Sequence, residues 1–428
     1  MDVLVSLLFS VSFLWPPDEA TASQDTPQSV STGPVFSDMG PDAAAYGAED
    51  GYPVGTRTTF TDACFLVGAF SHFDQLFPCH HMPRSATPWS FQRAAKEPDI
   101  TYTFGGERRS ISDYLSRNPV TGLLIARDDT ILFEHYQYAR SDRDRFLSQS
   151  MAKTFTAMLI GVAVGEGAIV SIDDPAEDYV PDLEDTEYGK TSLRNLLHMS
   201  SGVRFTEDYG GKDDDERLEV ELLFGETGKS TAEIIAQFNT RVADSGTKWN
   251  YAAPDPLVLG LVLRGATGRK VADYLHAKIW GPMGAEADAS WIVDHSGQEL
   301  THGFVSAVLR DYARFGRLLA HDGEWQGRQL IPRQWVIDAT TVPEQNSYLT
   351  PGRLVPGFPL GYGYLTWILP GEKRMFALLG TRGQAIFIDP ATRLVMVHTA
   401  VRKNFVEPWD EALALWSAVL QQCSANSR

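Results

Sequence analysis

Cysteine is scarce in this 428-residue chain, which has only Cys64, Cys79 and Cys423. Cys64 and Cys79 could pair in an oxidising space, leaving Cys423 over, and so few thiols do not settle the redox compartment. Cys79-His80-His81 invites a metal reading, but no second ligand cluster sits at helical or knuckle spacing, so no metal is assigned. Basic residues are also short: 37 Lys and Arg against 55 Asp and Glu leave a net charge of −18. That balance argues against nucleic acid or an anionic membrane as partner, since both reward clustered cations. There is no Gly-x-Ser-x-Gly elbow and no His-Glu-x-x-His, which speaks against an α/β-hydrolase and a zinc protease. No internal repeat is present.

The apolar run at residues 3–15 is too short to span a bilayer, so no stable membrane span is expected. Ala20-Thr21-Ala22 after it fits a signal-peptidase site, whereas Asp2 stands where a signal peptide carries positive charge. Residues 1–22 are therefore read as a signal peptide and the protein as periplasmic or secreted, or cytoplasmic if that segment is no true signal. Residues 23–100 read as a partly disordered extension, because Pro16 to Tyr52 is rich in Ala, Gly, Pro, Ser, Asp and Thr.

The remainder, with the chain 43% apolar overall, can bury a sizeable core and exceeds usual single-domain size. Residues 122–127 and 130–136 are apolar strands joined by Asp128-Asp129, a hairpin signature. Residues 166–340 show mostly helical periodicity, including Leu193 to Leu197, Leu257 to Arg264 and Arg310 to Leu319. Beyond Tyr364 short β-rich runs return, and a helix from Trp409 to Gln421 closes the chain. The expected fold is α+β: residues 101–165 and 341–428 form an antiparallel sheet flanked by helices, with 166–340 as an inserted, mostly helical subdomain.

The chemistry begins at Ser150-Met151-Ala152-Lys153, which heads an apolar stretch. On a helix, residues three apart share a face within about 5–6 Å, so the Lys153 amine can reach the Ser150 hydroxyl. A serine needs a neighbour to take its proton, and a lysine can serve if its surroundings lower its pKa. A second Ser-x-x-Lys, Ser245 to Lys248, lies in a polar, glycine-containing stretch and reads as a loop. Tyr251, in Trp249-Asn250-Tyr251-Ala252-Ala253, is a candidate proton-shuttling phenol. In Leu379-Gly380-Thr381-Arg382-Gly383-Gln384 the glycines let backbone approach a ligand, and N–H groups there can face a developing oxyanion. Asp213 to Glu216 reads as a solvated acidic loop.

The order of these three motifs resembles the class C β-lactamase and penicillin-binding-protein superfamily of serine hydrolases. Thr191 to Gly202 and Ala163 to Leu183 add to the match, which covers about residues 105 to 420. The resemblance implies a β-lactamase/transpeptidase-like fold and no cofactor. Two departures stand out. The usual Tyr-x-Asn ends in Ala253, and the usual Lys-Thr-Gly aligns with Leu378-Leu379-Gly380, an apolar pair unable to hold a buried carboxylate.

Gly380-x-x-Gly383-Gln384 and Arg310 to Gly316 look closer to the 6-aminohexanoate-dimer hydrolase and carboxylesterase branch, which cleaves linear amides and esters. That resemblance implies Ser150 as nucleophile, Lys153 as its base and Tyr251 as proton relay. It also implies the backbone N–H groups of Ser150 and Thr381 as the oxyanion hole, with Tyr209, His302, Trp367 and Gly380 lining the cleft. The substrate is then a small amide or ester. A β-lactamase or D-alanyl-D-alanine carboxypeptidase is the runner-up, and an inactive binding or sensor module of the same fold is the non-enzyme alternative. Natural substrate and oligomeric state are left open.

Overall fold

Strands that read as unbroken apolar runs belong to a sheet buried on both faces, because successive side chains point to opposite sides. The computed structural model describes residues 33–209, 212–225, 227–405 and 409–424, and shows this arrangement. In Leu394–Ala400, Val395 and Val397 enter one core while Leu394 and Met396 enter a second. Val120–Arg127 splits the same way, Leu124 and Ala126 against Leu123 and Ile125.

The main sheet runs in the order Val35–Phe36, Thr130–Tyr136, Val120–Arg127, Leu394–Ala400, Gln384–Asp389, Phe376–Gly380, Trp367–Ile368, Gly361–Tyr362, with Gln92–Arg93 also pairing to Thr130–Tyr136. Its pairings are antiparallel except those of Val35–Phe36 and Gln92–Arg93. The hairpin turn is the expected Asp128-Asp129, with Asp128 in the left-handed region at φ 49°. The closing helix Asp410–Cys423 covers one face through Leu415, Trp416 and Val419. The other face carries the helix Leu309–Ala320, the helix Ala152–Gly165 and most of residues 166–340.

Sheet and helices thus give the α+β fold expected. Within 166–340, however, Ala289–Ile292 and Val305–Val308 are strands, joined to Arg145–Leu147 and Cys79–Met82 in a four-stranded sheet. Both inner strands are buried throughout and lack the alternation that would mark them in sequence. Residues 33–100, the described part of the 23–100 extension expected to be partly disordered, carry the helix Leu66–Ser71 and the strand Cys79–Met82 and bury Tyr46, Tyr52 and Phe73. Their aromatic residues pack on Tyr138 and Phe304, a long-range anchor that composition does not register. Residues 1–22 lie outside the described residues. Among the described residues no helix is long and apolar enough to cross a membrane. Cys64, Cys79 and Cys423 are free thiols.

Candidate functional site

The helix Ala152–Gly165 is buried from Ala152 through Ala163, so a lysine in its first turn is largely withdrawn from bulk water. Lys153 is 2% exposed, and its Nζ donates to Ser150 Oγ at 2.9 Å and to the His302 carbonyl at 2.7 Å. Nζ also lies 4.9 Å from the centre of the Tyr251 ring. Tyr251 and Ser150 line the same cleft. Serine, lysine and tyrosine thus stand together at one site.

Ser150 is presented by a strained turn. Gln149, just before it, has φ 47°, a conformation that costs a non-glycine residue of order 1 kcal/mol. Ser148 holds the turn down: its N–H donates to the Val305 carbonyl at 2.7 Å, and its Oγ accepts the Val305 N–H at 3.0 Å. Gly380, at the end of Phe376–Gly380, lies against this segment and brings Thr381 beside Ser150 at the cleft wall.

The cleft above the serine holds about 530 Å³. Trp367 stacks on Tyr251 with centroids 5.5 Å apart, and Trp249 and Tyr362 approach the same ring at 6.1 and 6.2 Å. Phe358, Leu360, Leu379 and Leu413 extend the apolar wall. Trp367, Gly380 and Tyr209 line the cleft. His302 takes part differently. Its imidazole is buried, with Nε2 at 2.5 Å from Glu219 Oε1, and it reaches the site through its carbonyl.

No sequence motif marks Glu207. Its Oε1 accepts the Tyr209 hydroxyl at 2.6 Å and its Oε2 accepts the Ala253 N–H at 3.0 Å. Burial raises its pKa against the pull of Lys153. Asp213 to Glu216 is not the solvated loop expected: Asp213 caps the helix Asp214–Phe224 by accepting the Glu216 N–H at 2.9 Å. Asp215 and Glu219, one turn apart, share a helix face. Burial, then repulsion from Glu207 and Glu219, holds the Asp215 carboxyl far above the usual range.

These carboxylates set the charge on the lysine. Burial alone pulls Lys153 down, but Tyr251 and Glu207 outweigh it and leave its pKa above the ordinary value. Tyr251 is itself raised, first by burial, with Lys153 opposing and Glu207 reinforcing. At neutral pH the resting cluster therefore holds an ammonium and a neutral phenol. The second Ser-x-x-Lys is a turn in which Ser245 Oγ accepts from Asn195 Nδ2 at 2.9 Å and Lys248 is exposed.

A 6-aminohexanoate-dimer hydrolase from Paenarthrobacter ureafaciens is 27% identical over 365 residues, 82% of this chain and 88% of that protein. A solved structure from Bacillus anthracis, described provisionally as a 6-aminohexanoate-dimer hydrolase, superposes with a TM-score of 0.75 at 23% identity, covering 86% of this chain and 96% of that one. EstCE1, a hydrolase with promiscuous acyltransferase activity, shares the fold at a TM-score of 0.56 and 13% identity, over 70% of this chain and 93% of its own. The Beta-lactamase family model matches residues 108–419, a span that holds Ser150, Lys153, Tyr251 and Thr381, and the chain belongs to that family.

Proposed function

We propose that the protein is a serine hydrolase that cleaves a small linear amide or ester through an acyl-enzyme intermediate. The observation that carries this reading is the 2.9 Å contact between Lys153 Nζ and Ser150 Oγ at the floor of an aromatic-walled cleft. Relatives that hydrolyse the 6-aminohexanoate dimer, a linear amide, support the substrate class.

In the proposed sequence Ser150 Oγ attacks the carbonyl carbon while its proton passes to Lys153 in the neutral form. The resulting oxyanion takes the backbone N–H groups of Ser150 and Thr381. Collapse breaks the carbon–nitrogen or carbon–oxygen bond, and Tyr251 delivers a proton to the departing amine or alcohol, recovering one from Lys153. Water then cleaves the Ser150 ester by the same route. Since Lys153 rests as an ammonium, only the fraction that has lost its proton can start a turnover.

An apolar Leu379 at the cleft wall offers no partner for a β-lactam carboxylate, and Leu378 is turned into the core. This favours an amide or ester over a β-lactam or a peptidyl carboxylate. Intact mass after treatment with a fluorophosphonate, run beside Ser150→Ala, is the test. One adduct that maps to Ser150 and is absent from the variant is expected; folded protein without an adduct would overturn the hydrolase reading in favour of a binding module. A chromogenic cephalosporin beside short amide and ester substrates then separates the β-lactamase alternative.

A further inference from the structure

Outside the cleft, the edge strand Cys79–Met82 carries Cys79 and His81 two residues apart, which turns both side chains to one face. Cys79 Sγ and His81 Nε2 lie 3.6 Å apart. His80, between them, points away and bonds Glu299 Oε1 through Nδ1 at 2.8 Å. The chain reverses through residues 76–78, and this brings Asp74, from the short helix Phe73–Gln75, back over the same face. One carboxylate oxygen of Asp74, Cys79 Sγ and a ring nitrogen of His81 all fall within 4.8 Å of one another. None of the three lines the cleft.

The Asp74 side chain is 7% exposed, and its two oxygens are treated unequally. Oδ2 takes the Arg145 guanidinium at 2.5 Å, whereas Oδ1 is buried without a hydrogen-bond partner. A buried carboxylate oxygen left unpaired is costly and calls for a cation or donor.

We propose that Asp74, Cys79 and His81 bind a divalent transition-metal ion of the zinc class. Thiolate and imidazole donors suit zinc and exclude magnesium and calcium, which take oxygen ligands. In a tetrahedral zinc site, bonds of about 2.3 Å to sulfur and about 2.0 Å to nitrogen set those two atoms roughly 3.5 Å apart, close to the separation observed. Three protein ligands leave a fourth position for water. Arg145 on the outer oxygen fixes the carboxylate's orientation, as groups behind metal ligands do. On binding, Cys79 releases its thiol proton to solvent, and thiolate, carboxylate and dication then sum to zero charge. The sequence holds no second ligand cluster at helical or knuckle spacing, and the third donor is a single carboxylate five residues before the cysteine.

The ion would brace the base of the active site. Phe73, next to Asp74, stacks on Phe304 with ring centroids 5.5 Å apart. Phe304 follows His302 by two residues, and the His302 carbonyl holds Lys153.

The test is titration of chelator-treated full-length protein with Co²⁺, followed by displacement with Zn²⁺. A cobalt–thiolate charge-transfer band that saturates at one ion per chain is expected, kept in Cys64→Ser and lost in Cys79→Ser and His81→Gln. His81 is exposed, so that variant tests the ligand without threatening the fold. Asp74→Asn should weaken Co²⁺ binding at least tenfold. No band in the parent protein, a band that survives in Cys79→Ser or His81→Gln, or unchanged affinity in Asp74→Asn overturns the site.

Discussion

The backbone of Gly380 presses against Ser148: a β-carbon at position 380 would lie 2.5 Å from the Ser148 carbonyl oxygen and 2.9 Å from Gln149 Cβ. Those two residues form the turn that presents Ser150, so the closeness of strand and turn sets the distance between the Ser150 and Thr381 N–H groups. Gly380→Ala must push the two apart. Overpacking of this kind costs about 1–3 kcal/mol. The expected outcome is a lower Tm, with kcat on a short ester reduced more than KM is raised, because an oxyanion site is used chiefly in the transition state. Steady-state kinetics and a thermal melt check both.

Tyr251→Phe separates packing from proton transfer. The ring keeps its stacking on Trp367, while the phenol hydroxyl is lost. Loss of a general acid lowers rates by about 100- to 10,000-fold. Amides should suffer more than esters of the same acyl group, since an amine departs poorly without a proton and an alkoxide less so. Equal losses on both substrates would place the proton on some other group.

Legibility in the sequence followed the range of the interaction. Ser150 and Lys153 were readable because their contact is made within one helical turn. The paired strands were readable as apolar runs, and Asp128-Asp129 marked their turn. Asp215, Glu219 and Glu207 were not, because their meeting depends on how the helix Asp214–Phe224 settles against His302 and Lys153, and no local pattern encodes that. Asp74 escaped for the same reason. His302, expected to line the cleft, is buried instead and offers its carbonyl to Lys153.

Two buried histidines make stability fall in acid. His398 donates Nδ1–H to the Gly383 carbonyl at 2.7 Å and its Nε2 accepts the Tyr114 hydroxyl at 2.9 Å. Burial, with Arg402 adding repulsion, pushes its pKa down to about 3; burial and Arg194 push His198 down to about 4. The unfolded chain takes up protons on both below about pH 6.5, and the folded chain refuses them until those lower values. Their contribution is therefore complete above pH 6.5 and is lost as pH falls towards 4 and then 3. Each histidine contributes a slope of up to ~1.4 kcal/mol per pH unit in that window. Urea midpoints of the parent should drop between pH 7 and pH 5, and His398→Gln should flatten the slope even though it loses stability at pH 7.

The charge on Lys153 gives the sharpest check on its role as base. Glu207 helps hold that charge, so the neutral lysine needed to accept the Ser150 proton becomes abundant only at alkaline pH. If Lys153 is the base, kcat/KM rises about tenfold per pH unit on the acid side of the lysine's pKa. Glu207→Gln keeps an acceptor for the Tyr209 hydroxyl while removing the negative charge, so it should lower the Lys153 pKa and shift the whole limb to lower pH. The variant would then exceed the parent at neutral pH, provided substrate binding is unchanged. A limb that stays in place in Glu207→Gln would mean that the titrating group lies beyond the reach of that carboxylate, and would transfer the base role away from Lys153.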